Sequence, residues 1–209
     1  MTHIVFSPPK GDERFSDDGL HRLRLRRWWI EHPKRWAAWL MLNPSNAGKK
    51  NAAGETISDP TVDRVVHFSR SWGYDGCIVV NLYTYQDGDQ GKMRNWRRPL
   101  RANHGRHWYE RCREMQENLR QIEEAGRCSC LRVAAFGTVK TDKNWVKQCV
   151  AMFEQPFDFP NYGWEFSEDC VCLRINGADN WPAHPMPRLK SERFSDDARP
   201  IAWRPRPWR

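Results

Sequence analysis

Four apolar runs constrain this chain more than any other feature: "WAAWLML" (36–42), "CIVVNLY" (77–83), "CLRVAAFG" (130–137) and "CVCLRI" (170–175). Each is nearly continuous rather than alternating, so a strand built from it has no wet face and must be covered on both sides. Segments with helical periodicity separate the runs. Strands alternating with helices predict an α/β fold, a three-layer sandwich around a central, mainly parallel sheet. A chain of 209 residues suits one such domain.

The flanking segments fill in this outline. Residues 1–18 are polar and contain proline, which reads as an extended N-terminal arm. "LHRLRLRRWWI" alternates Leu and Arg, the pattern of a strand with one solvated face. With the turn "EHPKR" and "WAAWLML" it predicts an N-terminal hairpin whose second strand delivers Asn43. A small-residue and polar loop covers 46–58. A helix then begins at "DPTVDRVVHFSRSWGY", with Asp59 as N-cap, Pro60 in the first turn and Gly73 at the exit. Val62, Val65, Val66 and Trp72 fall near one face of it. The basic stretch 88–98 reads as a loop, 101–125 as a long amphipathic helix closed by Gly126, and 142–153 as another helix. The central domain therefore spans 19–190, with a basic C-terminal tail over 191–209. "ERFSDD" occurs at both 13–18 and 192–197, too short for a structural repeat.

Polar residues break the apolar runs at their carboxyl ends: Asn43, Asn81 and Gly137, joined by the Pro-rich loop that carries His184. In sheets of this class ligands bind beyond those ends, so these residues are expected on one rim. Lys and Arg number 34 against 26 Asp and Glu, a net charge of +8 that suits a polyanionic partner. Several of the twelve Trp stand among arginines, as in "RNWRR" and "IAWRPRPWR". That interleaving can stack on bases while pairing with phosphates. No stretch is long and apolar enough for a membrane span, and the start lacks a signal-peptide pattern. The seven cysteines include two C-x-C pairs, 128/130 and 170/172. That spacing is not the usual zinc pattern, so the reading is reduced thiols, a cytoplasmic protein, no metal and no cofactor.

Taken in order, "MLNPS", "IVVNLY", "VAAFG" and "AHPMP" resemble the motifs of the uracil-DNA glycosylase superfamily. "MLNPS" resembles its first strand and Asn-Pro loop, nearest in form to the mismatch-specific branch with Ile-Asn-Pro-Gly. The chain also resembles a bacterial and phage family with "LNPS", "DPT", "WGY" and "NL" in this order. The resemblance covers about residues 36–190. It implies a glycosylase-like fold and a monofunctional DNA N-glycosylase. The substrate would be a pyrimidine base, modified or not, flipped out of duplex DNA in base excision or phage defence, by a protein expected to be monomeric. Ser45 and Met186 depart from the superfamily pattern, so uracil itself is not implied.

Carried over by position, the resemblance assigns Asn43 to hold the attacking water and His184 to donate to the base oxygen that becomes anionic. Asp59 is a rival base and equally a helix cap. Asn81, Tyr83, Ser45 and Gly137 would surround the base, with Trp72 as another stacking candidate. Met186 or Leu189 would wedge into the duplex on a loop stiffened by Pro185 and Pro187. Arg188, Lys190, Arg94, Arg97 and Arg98 are the phosphate candidates. Two other readings fit the same residues. One is a non-catalytic nucleic-acid-binding module. The other is a metal-dependent nuclease, for which Asp59 and Asp63 are the only carboxylate pair near the rim.

Overall fold

The computed structural model describes residues 9–45, 59–86, 90–154, 170–177, 180–187 and 189–204. In chain order the strands are β1 (Lys10–Phe15), β2 (Arg22–Trp28), β3 (Trp36–Met41), β4 (Gly76–Asn81), β5 (Leu131–Ala134), β6 (Val171–Cys172), β7 (Ile175–Asn176), β8 (Trp181–Pro182) and β9 (Ile201–Ala202). The α-helices are α1 (Pro60–Ser71), α2 (Gln90–His104), α3 (Arg113–Arg127) and α4 (Lys143–Phe153). Among the described residues, seven strands form one sheet in the order β1-β2-β4-β3-β5-β6-β9, and β7 pairs with β8 apart from it. The central four, β4-β3-β5-β6, run parallel, as the apolar runs predict, and antiparallel strands close both margins.

The apolar strands are buried on both faces by alternation. Ala37, Trp39 and Met41 of β3 face α1, together with Cys77, Val79 and Val133. Ala38 and Leu40 face α3 and α4, together with Ile78, Val80 and Ala134. Two helical layers therefore sandwich the sheet. Residues 60–71 form a helix where capping chemistry places one, and Val62, Val65 and Val66 turn inward.

The expected pairing of residues 19–30 with "WAAWLML" does not form. β2 bonds antiparallel to β4 at Leu25↔Val79, and β4 lies between β2 and β3. The reason is polarity: β3 is apolar on both faces and takes the centre, whereas arginine-rich β2 belongs nearer a margin. The Asp75 carboxylate fixes this crossing by accepting the backbone N–H groups of Lys34 (2.9 Å) and Arg35 (2.7 Å). Part of the predicted N-terminal arm is also inside the sheet. β1 pairs along β2, and its acids meet the arginines opposite, Asp12 with Arg26 and Glu13 with Arg27. Charge matching recruits this strand, which apolar periodicity could not reveal.

The long helix expected over 101–125 is two elements. α2 starts earlier, within the stretch read as a basic loop, and ends at His104. Gly105 then takes a left-handed φ of +63° into a 3₁₀ turn, and α3 begins at Arg113. Gly126 is not a terminator but lies inside α3. A Cβ there would stand 2.3 Å from the Phe153 carbonyl oxygen, so this glycine is what lets α3 approach the end of α4. "CVCLRI" is likewise divided between β6 and β7.

The described part of the predicted tail packs onto the body. Phe194 lies edge-on to Phe68, Trp72 donates its indole N–H to the Ala198 carbonyl (2.8 Å), and Arg64 pairs with Asp196. Trp203 is 1% exposed and donates to the Asn180 carbonyl. The "ERFSDD" echo has a local explanation. In both copies a serine carbonyl accepts from the residue three places on, Gly19 N–H to Ser16 and Ala198 N–H to Ser195, so the serine end of each copy makes a tight turn.

Replacing Gly126 by Ala is expected to destabilise the fold by about 1–3 kcal/mol through overpacking against α4, outweighing alanine's better helix propensity. Urea denaturation checks this, with the midpoint falling at an unchanged slope.

Candidate functional site

The connections leaving β3 and β5 diverge. From β3 the chain crosses through α1, on one face, to β4; from β5 it crosses through α4, on the opposite face, to β6, on the other side of β3. A crevice must open where neighbouring strands send their loops in opposite directions, beyond the carboxyl ends. A cleft of about 390 Å³ occupies this place. Leu42, Asn43 and Ser45 reach it from β3, and Phe136, Gly137 and Thr138 from β5. Asp59 and Thr61 reach it from the start of α1, and His184, Met186 and Pro187 from the late loop.

Asn43, Ser45, Asp59, Gly137, His184 and Met186, all singled out from the sequence, thus line one hollow. His184 is half-buried and its Nδ1 lies 3.1 Å from the Met186 backbone nitrogen and 3.0 Å from the Met186 carbonyl oxygen. A neutral ring satisfies one of these at a time. Accepting from the Met186 N–H leaves the proton on Nε2, which has no partner among the described residues. Burial holds this imidazole below its usual 6.5, while the Met186 carbonyl and the Asp59 carboxylate pull it back up. Gly137, at φ +71°, passes close enough that a Cβ there would touch the His184 Cβ. Asp59 caps α1, its Oδ1 accepting from the N–H groups of Thr61 (2.8 Å) and Val62 (3.1 Å). Its Oδ2 has no partner among the described residues.

Other expected site residues lie elsewhere. Tyr83 is buried on the α3–α4 side of the sheet, where its hydroxyl donates to Asp142 (3.0 Å), and burial pushes its phenol up. Arg97 is buried against the same Asp142 carboxylate, so it cannot reach a phosphate. Trp72 stacks on Trp39 and Phe68 inside the α1 layer. Asn81 ends β4, 1% exposed and outside the cleft lining, with neither side-chain atom partnered among the described residues. Arg94, Arg98, Leu189 and Lys190 are exposed, and Asp63 points outward from α1. Arg188 and the loop 46–58 lie outside the described residues.

Arg22 carries no distinguishing mark in the sequence. "LHRLRLRR" presents its arginines as one wet face, yet Arg22 is 2% exposed. Burial pulls its guanidinium down to about 10, and the charge of Asp59 partly restores it. The pairing of β1 with β2 shifts register between Arg14 and Phe15, opposite this residue. The sequence has no signal for that irregularity. The cysteines are all free, and burial raises the Cys77 thiol to about 12 and those of Cys112 and Cys172 to about 11. Among the described residues no group of three or more His, Cys, Asp or Glu side chains converges to hold a metal ion. No helix among them is long and apolar enough to cross a membrane.

A family model described as "Protein of unknown function (DUF1643)" matches residues 22–186, which includes every lining residue of the cleft except Pro187. No curated protein and no solved structure matches the chain.

Two outcomes test this geometry. Asp59→Asn keeps a capping side chain but removes the charge that favours the imidazolium, so the His184 titration midpoint, followed by NMR, is expected to fall further below 6.5. Asp59→Ala also removes the cap and is expected to cost about 1 kcal/mol in urea denaturation. Because the folded His184 resists protonation more than the unfolded one, its contribution to stability is constant above 6.5 and is lost as pH falls below it.

Proposed function

We propose that this chain, which belongs to the DUF1643 family, is a DNA N-glycosylase whose cleft hydrolyses the bond between deoxyribose and a flipped-out pyrimidine, uracil or a modified base. One observation carries the reading. Asn43 and His184, on loops far apart in the chain, line the same hollow at the point where the sheet's connections reverse. Its volume lies within the range of about 300–1,000 Å³ usual for small-molecule sites.

Breaking the C1′–N bond leaves the electron pair on the departing base and a cation on the sugar. His184, with its proton on Nε2, donates a hydrogen bond to the base oxygen where the negative charge collects. The Met186 N–H holds the ring in this tautomer through Nδ1. Burial keeps the ring neutral at physiological pH, so it is a fixed donor and need not transfer its proton. Such donors can be worth about 2.7–4 kcal/mol in the transition state. The Asn43 amide oxygen accepts a hydrogen bond from the attacking water, and the Asp59 oxygen not used in capping takes its proton as the water oxygen bonds to C1′. The sugar cation is electrophilic enough that a weakly basic pair suffices. Met186 is half-buried at the cleft, and in this reading its side chain fills the space that the flipped base leaves.

The test is incubation of the full chain with duplex oligonucleotides carrying uracil, 5-hydroxymethyl or glucosylated pyrimidines, followed by alkaline cleavage at abasic sites. At least one substrate is expected to yield them. Asn43→Ala and His184→Ala are each expected to slow the reaction by about 100-fold or more. Intact strands from every substrate would overturn the reading, as would an Asn43→Ala protein as active as the parent.

A further inference from the structure

We propose that the outer face of α2 docks the phosphate backbone of duplex DNA; the proposal rests on the reading of the cleft only for the identity of the polyanion. The helix, "QGKMRNWRRPLRANH", contains no carboxylate. Its inward positions are filled by Met93, Trp96 and Leu100, which pack on the core, and by Arg97. The remaining arginines fall at 94, 98 and 101, a spacing of i, i+4 and i+7 that makes one exposed stripe about 10 Å long. Arg106, exposed just past the Gly105 break, lines one hollow together with Arg101.

Apart from Arg101, these charges are not neutralised locally among the described residues. Arg94, Arg98 and Arg106 have no ion-pair partner among the described residues, and Arg101 stands 3.6 Å from the Asp142 carboxylate that Arg97 already engages. Several arginines elsewhere on the surface are matched: Arg14 and Arg120 with Glu117, Arg113 with Asp17, and Arg127 with Glu123. Among the described residues, Arg94, Arg98 and Arg106 therefore form positive charge that no acid is paired with.

The buried cluster under the helix ties α2 to the loop that leaves the cleft. Arg97 pairs with Asp142 and donates to the Tyr83 hydroxyl (3.2 Å), and Tyr83 lies just past the carboxyl end of β4. Asp142 ends the loop whose first residues, Phe136 to Thr138, line the cleft. The chain from Thr138 to Asp142 spans at most about 14 Å. DNA advances about 3.4 Å per nucleotide along one strand, so a duplex with one base in the cleft carries several phosphates past this cluster toward the outer face of α2. A lipid surface fits less well, because helices that bind one insert an apolar face, and that of α2 is already buried in the core.

The experiment measures binding of the full chain to a fluorescein-labelled duplex oligonucleotide across a series of NaCl concentrations. The triple variant R94Q/R98Q/R106Q is expected to bind at least about 10-fold more weakly near 0.1 M salt. The slope of log K against log salt should shrink by about 0.9 for each phosphate no longer engaged. Single variants R94Q and R98Q should each remove about one such step, which guards against a misfolded triple. The control R113Q/R120Q should bind as the parent does. The proposal is overturned if the triple variant keeps the parent's affinity and slope, or if the control is weakened as much. It is also overturned if phosphatidylserine vesicles bind the parent more tightly than DNA and release the triple variant. Failure of the triple variant to bind DNA, without base release by the parent, would sink the cleft reading and leave this one standing. Base release by a triple variant that still binds normally would do the reverse.

Discussion

The fold depends on strands that water cannot touch on either side. β3 is apolar at every position, and β5 is buried along its length despite Arg132. Such strands cannot lie at a margin, so they take the middle of the sheet and require helices on both faces. With parallel neighbours on each side of β3, the crossover to β4 takes one face and the crossover from β5 to β6 takes the other. The cleft is the geometric consequence. It does not depend on any residue within it, because it exists wherever two adjacent loops depart in opposite directions.

That separation of scaffold from site explains how polar groups are distributed around the rim. Some serve the scaffold and are fully engaged. The Arg97–Asp142–Tyr83 cluster fastens α2 to the loop before α4, and Asp75 ties the entry of β4 to the turn before β3. Others remain open among the described residues. His184 has one ring nitrogen beyond its bond to Met186, and Asp59 has an oxygen beyond what the cap needs. Asn81 is buried with its amide unsatisfied among the described residues, a costly arrangement of about 1–3 kcal/mol. Polar atoms left open at a rim, beside a scaffold that satisfies its own, are where binding chemistry has room to act.

Much of this is readable from the chain. Continuous apolar runs identify the central strands, Asp59-Pro60 marks the start of α1, and the polar residues ending the runs point to the rim. What is not readable stays hidden for definite physical reasons. The β1–β2 pairing rests on Asp12–Arg26 and Glu13–Arg27, and charge complementarity across strands has no local period. Residues 189–204 pack through widely spaced side chains, Phe194 and Trp203, set in a basic and proline-containing background. α2 is hidden because its inward face includes Arg97, which counts as polar until Asp142 is seen beneath it. Tyr83 and Asn81 sit at a strand end like Asn43, but a strand end does not reveal which face a side chain takes, nor which strand will be its neighbour.

Local composition is enough to say which segments must be buried and where they stop, because burial follows from the side chains present and a strand's period is fixed by covalent geometry. It is enough, therefore, to put Asn43, Gly137 and His184 at segment ends. Which of those ends face one another is a property of the assembled fold. Strand order is set by competition for the centre of the sheet among all the strands at once, and no segment carries that ranking alone. The same competition turns Arg22 and Arg97 inward and leaves Arg94 and Arg98 outside, though all four look alike in the chain.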